Sequence, residues 1–220
     1  MKLPAAVLLV CVTTAMGVRP PAEPEDVPVS SAGSMTFQER RWRDADIDPR
    51  WESRVDAAVD RYLRTKGRYT EIENLRKSPS VPARVIFVLH GRESTWSFER
   101  HLHEGSSLRG RTRWVPKGRP KSGNPPFTWR ESAEDALYKL KDMENWDWSN
   151  IHSLLQNVET YNGLGYQKYH KDVPSPYLWS GTTIYTRGKY VADGRFSRLA
   201  VDKQLGCAAI LKRMHRRNVK

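Results

Sequence analysis

The sequence predicts a mainly helical (α+β) domain, and three observations carry this prediction. Apolar residues recur at helical spacing in several segments, as Val55, Val59 and Tyr62 do. Thr128-Trp-Arg-Glu131 fits a capping box, in which the threonine and glutamate side chains satisfy the first turn of a helix. The 220 residues, of which 38% are hydrophobic, are enough for one core of ordinary size. We therefore expect one catalytic or binding domain.

The N-terminal region predicts export. Met1-Lys2 and the short apolar run that follows are typical of a secretory signal, and Ala15-Met16-Gly17 supplies small residues for cleavage. We assign residues 1–17 to a signal peptide, 18–36 to a flexible proline-rich linker and 37–220 to the domain. The predicted location is secreted or periplasmic, and the apolar run is too short for stable membrane insertion.

The predicted helices follow in chain order. Asp48-Pro49 starts a helix that Lys66-Gly67 ends, and a short helix occupies residues 69 to 75. A third helix ends near Glu93, because Gly91 precedes it, and residues 94 to 127 form irregular chain. Later helices run from Thr128 through Leu140, from Ser149 to Asn162-Gly163, and from about 201 to 216.

Glu93 is the residue that most directly suggests chemistry. Val85, Leu89 and Glu93 lie at i, i+4 and i+8, so a helix places the carboxyl on its buried stripe. Burial favours the protonated form, and a carboxylic acid that stays neutral near pH 7 can protonate the leaving oxygen of a glycoside. The alternative is an ordinary glutamate that turns to solvent at a fraying helix end.

The pair Glu93-Ser94, followed by Glu159-Thr-Tyr-Asn-Gly-Leu-Gly-Tyr166 and an aromatic stretch, resembles the lysozyme-like superfamily. The resemblance covers roughly residues 81 to 214 and is strongest to goose-type lysozymes and soluble lytic transglycosylases. It implies a two-lobed helical domain with a small β-wing, which would lie in the 94–127 segment. It also implies that Glu93 is the acid and that Ser94, Thr112, Tyr161 and Asn162 line the substrate site.

The resemblance leaves the second carboxylate open. Phage-type lysozymes carry an Asp six positions before a Thr, and here Ser106 stands six positions before Thr112. Glu104 is a candidate substitute. Lytic transglycosylases instead use one Glu as acid and then as base, so the sugar's own 6-hydroxyl attacks and an anhydro end forms. Hydrolysis and transglycosylation therefore both remain open.

Aromatic residues and positive charge suggest how a glycan binds. We expect Tyr177, Trp179 and Tyr185 along the cleft, because flat rings suit the apolar faces of sugars. The net charge of +12 indicates an anionic partner, and residues 109–121, which we call the basic loop, would contact it. The alternative for this loop is a solvated segment without a partner.

The predicted function is cleavage of the bond between N-acetylmuramic acid and N-acetylglucosamine in peptidoglycan strands. The alternative is a catalytically inactive lysozyme-fold protein that binds wall glycan or another anionic polymer. We expect a monomer with no cofactor, no metal and no nucleic-acid partner. His101-x-His103 lacks a third ligand at a recognisable spacing, and Cys207 lies in an apolar run typical of a buried thiol.

Overall fold

The computed structural model describes residues 36–77 and 79–219, so the predicted signal peptide and all of the predicted linker except Thr36 lie outside the described residues. The first helix, α1 (Phe37–Asp44), begins with a capping box. The Thr36 hydroxyl accepts from the backbone N–H of Glu39 at 3.2 Å, and the Glu39 carboxylate accepts from the Thr36 N–H at 2.7 Å.

The prediction of a mainly helical domain with a small sheet is confirmed. The described helices are α1, α2 (Glu52–Glu73), α3 (Ala83–Ser94), α4 (Trp129–Glu134), α5 (Ile151–Asn162), α6 (Gly165–Tyr169), α7 (Pro176–Trp179) and α8 (Cys207–Arg216). Short 3-10 turns lie at Pro49–Trp51 and Met143–Asn145, and a π-helical segment, Asp135–Leu140, continues α4. Strands β1 (Lys189–Ala192) and β2 (Arg195–Ser197) pair antiparallel.

Helix α2 corrects the prediction that Lys66-Gly67 ends a helix, because it runs unbroken to Glu73. Tyr69 and Ile72 continue the buried stripe of Val55 and Tyr62, and all four side chains are inaccessible to solvent. Glycine inside a helix costs about 1 kcal/mol relative to alanine. Burial of two large side chains beyond Gly67 outweighs that cost.

Helix α3 forms the centre of the core and packs against α2 and α8. It ends at Ser94, where Thr95 adopts the left-handed conformation with φ 55°. This end agrees with the predicted one near Glu93, and Gly91 itself lies within the helix. A Cβ atom there would lie 2.6 Å from the Trp96 ring, which stacks on Phe87 with 5.3 Å between centroids. Gly91 is therefore required to seat Trp96.

The small sheet lies elsewhere than in the 94–127 segment. That segment is irregular, as predicted, and contains one isolated bridge between Arg100 and Ser107. The last helix also starts later than predicted, at Cys207 rather than near Val201. Residues 201–206 form irregular chain instead, and the N–H of Gly206 donates to the Ser180 carbonyl at 2.7 Å.

Two further helix boundaries agree with the sequence. Both hydrogen bonds of the Thr128–Glu131 capping box are present at the start of α4. Helix α5 ends at Asn162, where Gly163 has a φ of 111° that side chains rarely adopt. The end of α5 places Tyr161 on the last turn of that helix. In the same way, the end of α3 at Ser94 places Glu93 on its last turn.

Candidate active site

Glu93 lies at the end of α3, where the core meets solvent. Val85 and Leu89 on the same stripe are fully buried, and the Glu93 side chain is partly exposed. The Tyr177 hydroxyl donates a hydrogen bond of 2.7 Å to Glu93 Oε1. The carboxyl is therefore held in a fixed position by α7 rather than fraying into solvent.

The protein surroundings raise the pKa of Glu93 to about 7. Burial is the largest cause, because it disfavours the charged carboxylate. The Tyr177 hydrogen bond and the charges of Arg92 and Lys141 oppose it, whereas the charge of Glu104 adds to it. Near neutral pH the group can therefore act both as a proton donor and, once ionised, as a proton acceptor.

Two tyrosines accompany the carboxyl. Tyr161 is buried on α5, and its hydroxyl donates to the Leu102 carbonyl at 3.1 Å. Burial raises the pKa of both Tyr161 and Tyr177 well above the usual value, and the charge of Glu93 adds to each effect. Both hydroxyls therefore stay protonated at neutral pH. Asn162 follows Tyr161 at the helix end and is partly exposed.

Glu104 reaches the same region through an irregular turn. Gly105 has φ 79°, and a Cβ atom there would lie 2.4 Å from the Glu93 carbonyl oxygen, so the turn lies directly against the end of α3. The Glu104 side chain is 2% exposed. Its Oε1 accepts a hydrogen bond from the Ser106 hydroxyl, and its buried Oε2 has no partner among the described residues.

A buried hydrogen-bond network holds the turn that carries Glu104. Ser132 Oγ accepts from the Leu102 N–H at 3.1 Å and lies 2.9 Å from His101 Nδ1. His103 Nε2 lies 2.8 Å from Asp135 Oδ2. Ser132, His103 and Asp135 are the residue types of a hydrolase triad, but Ser132 is inaccessible to solvent. The Ser132 hydroxyl therefore stabilises the turn, and His101 and His103 are hydrogen bonded within the same network.

Lys141 is a site residue that the sequence analysis missed. Its Nζ lies 3.4 Å from the Tyr161 carbonyl oxygen, and it contributes to the electrostatics of Glu93. Burial lowers the pKa of Lys141, and the charge of Glu93 opposes that shift. One signal was available in the sequence, because Lys141 lies four residues after the buried Leu137 and so follows an apolar helical stripe.

A buried ion pair packs against the ring of Tyr177. Arg92 Nη2 lies 3.1 Å from Asp202 Oδ2, and the guanidinium lies 5.0 Å from the centroid of the Tyr177 ring. Burial opposes ionisation of Asp202, but the attraction of Arg92 and the other contacts leave its pKa lowered. Tyr185 also contacts this pair, because its hydroxyl accepts from the Asp202 N–H at 3.0 Å and donates to the Gly188 carbonyl.

Four predicted substrate residues have structural roles. Trp179 is fully buried, and Tyr185 is buried on Asp202. The buried Ser94 hydroxyl donates to the His90 carbonyl at 3.2 Å. The Thr112 hydroxyl accepts from the Arg119 N–H at 2.8 Å and donates to the Pro116 carbonyl, which folds the basic loop. In this structure all four side chains are buried among contacts within the protein, and their predicted contacts with substrate stay predictions.

Comparisons with protein-family models, with curated proteins and with solved structures found no match. Within residues 36–77 and 79–219, no three histidine, cysteine or acidic side chains are grouped so that they could hold a metal ion. The helices of the same residues include none that is long and apolar enough to cross a membrane. The geometry around Glu93 and the motifs that resemble those of lysozyme-like proteins are therefore the features that bear on function.

Proposed function

We propose that the protein is a lysozyme-like enzyme that cleaves the glycosidic bond between N-acetylmuramic acid and N-acetylglucosamine in peptidoglycan, with Glu93 as general acid. The observation that carries this proposal is a carboxyl whose pKa is raised to about 7 while Tyr177 holds its position. A glycosidase needs an acid that is still protonated near neutral pH.

The proposed reaction uses one carboxyl twice. Protonated Glu93 gives its proton to the leaving glycosidic oxygen as the bond to the anomeric carbon breaks. The resulting carboxylate then accepts the proton of the sugar's 6-hydroxyl, whose oxygen attacks the anomeric carbon and closes an anhydro ring. Tyr177 and Lys141 stabilise the ionised form between these two steps, since both lower the pKa of Glu93.

Glu104 supports transglycosylation rather than hydrolysis. A base that activates water must contact that water, but the Glu104 side chain is 2% exposed and hydrogen bonded to Ser106. Its effect on Glu93 is electrostatic, because it raises the pKa of the acid. We therefore assign Glu104 a positioning and electrostatic role.

Unpaired cations on the basic loop support an anionic wall polymer as substrate. Arg113 and Lys117 are exposed, and neither forms an ion pair with any described acidic residue. The peptide stems of a bacterial wall carry carboxylates, which such cations attract.

Digestion of purified murein sacculi tests the proposal. We expect Glu93→Gln to lower the release of soluble fragments by at least about 10²-fold, because the amide keeps the shape but cannot donate the proton. Glu99→Gln, which changes an exposed glutamate five residues after the helix turn that carries Glu93, is the matched control and should keep wild-type activity. Circular dichroism verifies that both variants are folded.

Wild-type release by Glu93→Gln would contradict the assignment of the acid. Sedimentation of the wild-type protein with sacculi without any soluble fragments would instead indicate a wall-binding protein that does not cleave.

A further inference from the structure

A cavity of about 220 Å³ lies between α1, α5 and the chain around α6, and Glu93 is not among the residues that line it. An engineered apolar cavity of about 150 Å³ binds benzene, so this space is large enough for a small ligand. Its walls combine apolar and charged side chains: Phe37, Tyr166, Val173, Arg41, Lys171 and Glu159.

Glu159 gives the cavity an unsatisfied acceptor. The side chain is inaccessible to solvent, and its Oε2 accepts from Gln38 Nε2 at 2.8 Å and from Gln167 Nε2 at 2.7 Å. Oε1 is buried and has no hydrogen-bond partner in the described part of the chain. A buried carboxyl oxygen without a partner carries a substantial energetic cost, and a ligand that donates to it would remove that cost.

Two cations lie at the cavity without a close ion pair to a described acidic side chain, although the charge of Glu159 acts on Arg41. The guanidinium of Arg41 lies 3.9 Å from the centroid of the Phe37 ring, and its Nη2 donates to the Lys171 carbonyl at 3.4 Å. Over the described residues, neither Arg41 nor Lys171 has an acidic side chain within ion-pair distance. The cavity therefore offers positive charge to an anionic group and one carboxyl oxygen to a donor.

We propose that this cavity binds a free α-amino acid with an apolar side chain. The ammonium group donates to Glu159 Oε1, and the carboxylate lies between Arg41 and Lys171. The apolar side chain packs against the ring of Tyr166 and against Val173. A zwitterion satisfies both charges of the site at once, which a purely cationic or purely anionic ligand of the same shape does not.

The site is separate from the one proposed to cleave glycan. Glu159 and Tyr161 are two positions apart on α5, and residues at that spacing point to different sides of a helix. Tyr161 donates to the Leu102 carbonyl and interacts electrostatically with Glu93, whereas Glu159 accepts from Gln38 of α1. Amino-acid binding and glycan cleavage can therefore fail or succeed independently.

Calorimetric titration of the full chain tests the proposal with four probes: L-leucine, D-leucine, isopentylamine and isocaproate. The last two are leucine without its carboxylate and leucine without its ammonium group. We expect one leucine enantiomer to bind with a Kd below about 10 mM, and each analogue to bind at least about tenfold more weakly, because each lacks one charge-assisted hydrogen bond.

Variants locate the binding. Lys171→Gln changes an exposed side chain and should weaken leucine binding about tenfold without affecting folding, and Glu159→Gln should do the same if it folds. Lys168→Gln, an exposed lysine of α6 that does not line the cavity, should leave binding unchanged. The proposal is overturned if neither enantiomer binds saturably, if either analogue binds as tightly as leucine, or if Lys171→Gln binds like the wild type.

Discussion

At the scale of single residues, the raised pKa of Glu93 lowers the free energy of unfolding at neutral pH. Its pKa is about 7 in the folded protein, against 4.5 for an ordinary glutamate. The folded state therefore holds the proton more tightly than the unfolded state. Ionising the group costs folding free energy, so this contribution to stability is lost as pH rises from about 4.5 to about 7 and stays lost above that.

Glu93→Gln is predicted to stabilise the protein increasingly as pH rises above about 4.5, and fully above about pH 7. Because the amide does not titrate, the variant avoids a cost that amounts to about 1.4 kcal/mol for each unit of pKa shift, or at most about 3.5 kcal/mol here. We expect its free energy of unfolding to exceed that of the wild type at pH 8 and to match it at pH 4. Urea unfolding at both pH values measures this, with Glu99→Gln as control. An equal difference at both pH values would show that the Glu93 pKa is not raised.

The sequence could identify Glu93 but not its whole surroundings. Val85, Leu89 and Glu93 lie on one helix, so their spacing in the sequence is enough to predict that they share a face. Tyr177 and Trp179 are two positions apart on α7, so one ring reaches Glu93 and the other enters the core; the sequence does not reveal which.

Long-range partners were beyond sequence reasoning. The Arg92–Asp202 pair joins residues 110 positions apart, and nothing local marks either one as a partner of the other. The contact between Gly105 and the Glu93 carbonyl likewise depends on how an irregular turn folds back on α3. These contacts determine the setting of the acid, so its electrostatics required the structure.

At the scale of elements, caps and stripes predicted the helices well, and two of the three helix ends predicted from glycines agree with the structure. The Thr128–Glu131 box and the α5 terminus were confirmed because their signals lie within one turn of the boundary. Helix α3 also ends at Ser94, next to its predicted end, but Gly67 does not stop α2, since tertiary packing outweighs its low helix propensity. The π-helical segment Asp135–Leu140 has no sequence signal that we can identify.

The helix glycines Gly67 and Gly91 are predicted to respond in opposite ways to alanine. At Gly67 an added Cβ meets no atom within 4 Å, so Gly67→Ala should raise the free energy of unfolding by about 0.5–1 kcal/mol. At Gly91 the Cβ would overlap the Trp96 ring, so Gly91→Ala should lower it by about 1–3 kcal/mol. Chemical unfolding of both variants tests this, and stabilisation by Gly91→Ala would contradict the packing described for Trp96.

At the scale of the whole molecule, the structure divides the basic loop into two groups of cations. Arg111 donates to the carbonyls of Pro120 and Gly123, and Arg119 pairs with Asp135 at 2.8 Å. These two arginines fold the loop. Arg113 and Lys117, like Arg109 and Lys121, are exposed and have no ion-pair partner among the described residues, so these four are the cations available to a polymer.

Neutralising Arg113 and Lys117 should weaken binding to sacculi mainly at low salt. We expect Arg113→Gln with Lys117→Gln to reduce sedimentation with sacculi at low ionic strength and to have little effect in high salt, because exposed charges are screened beyond roughly 8 Å at physiological ionic strength. Arg64→Gln with Lys66→Gln, on the exposed side of α2, is the matched control for net charge. An equal loss of sedimentation in both double variants would show that binding depends on the total charge of the protein rather than on the basic loop.

The most direct test of the account is mass analysis of the fragment ends that the protein releases from purified sacculi. If Glu93 acts alone as acid and then base, the ends are 1,6-anhydromuramic, Glu93→Gln releases none, and Glu104→Gln still yields anhydro ends. Reducing ends, together with a loss of about 10²-fold or more in Glu104→Gln, would contradict the account, because water would then be the nucleophile and Glu104 its base.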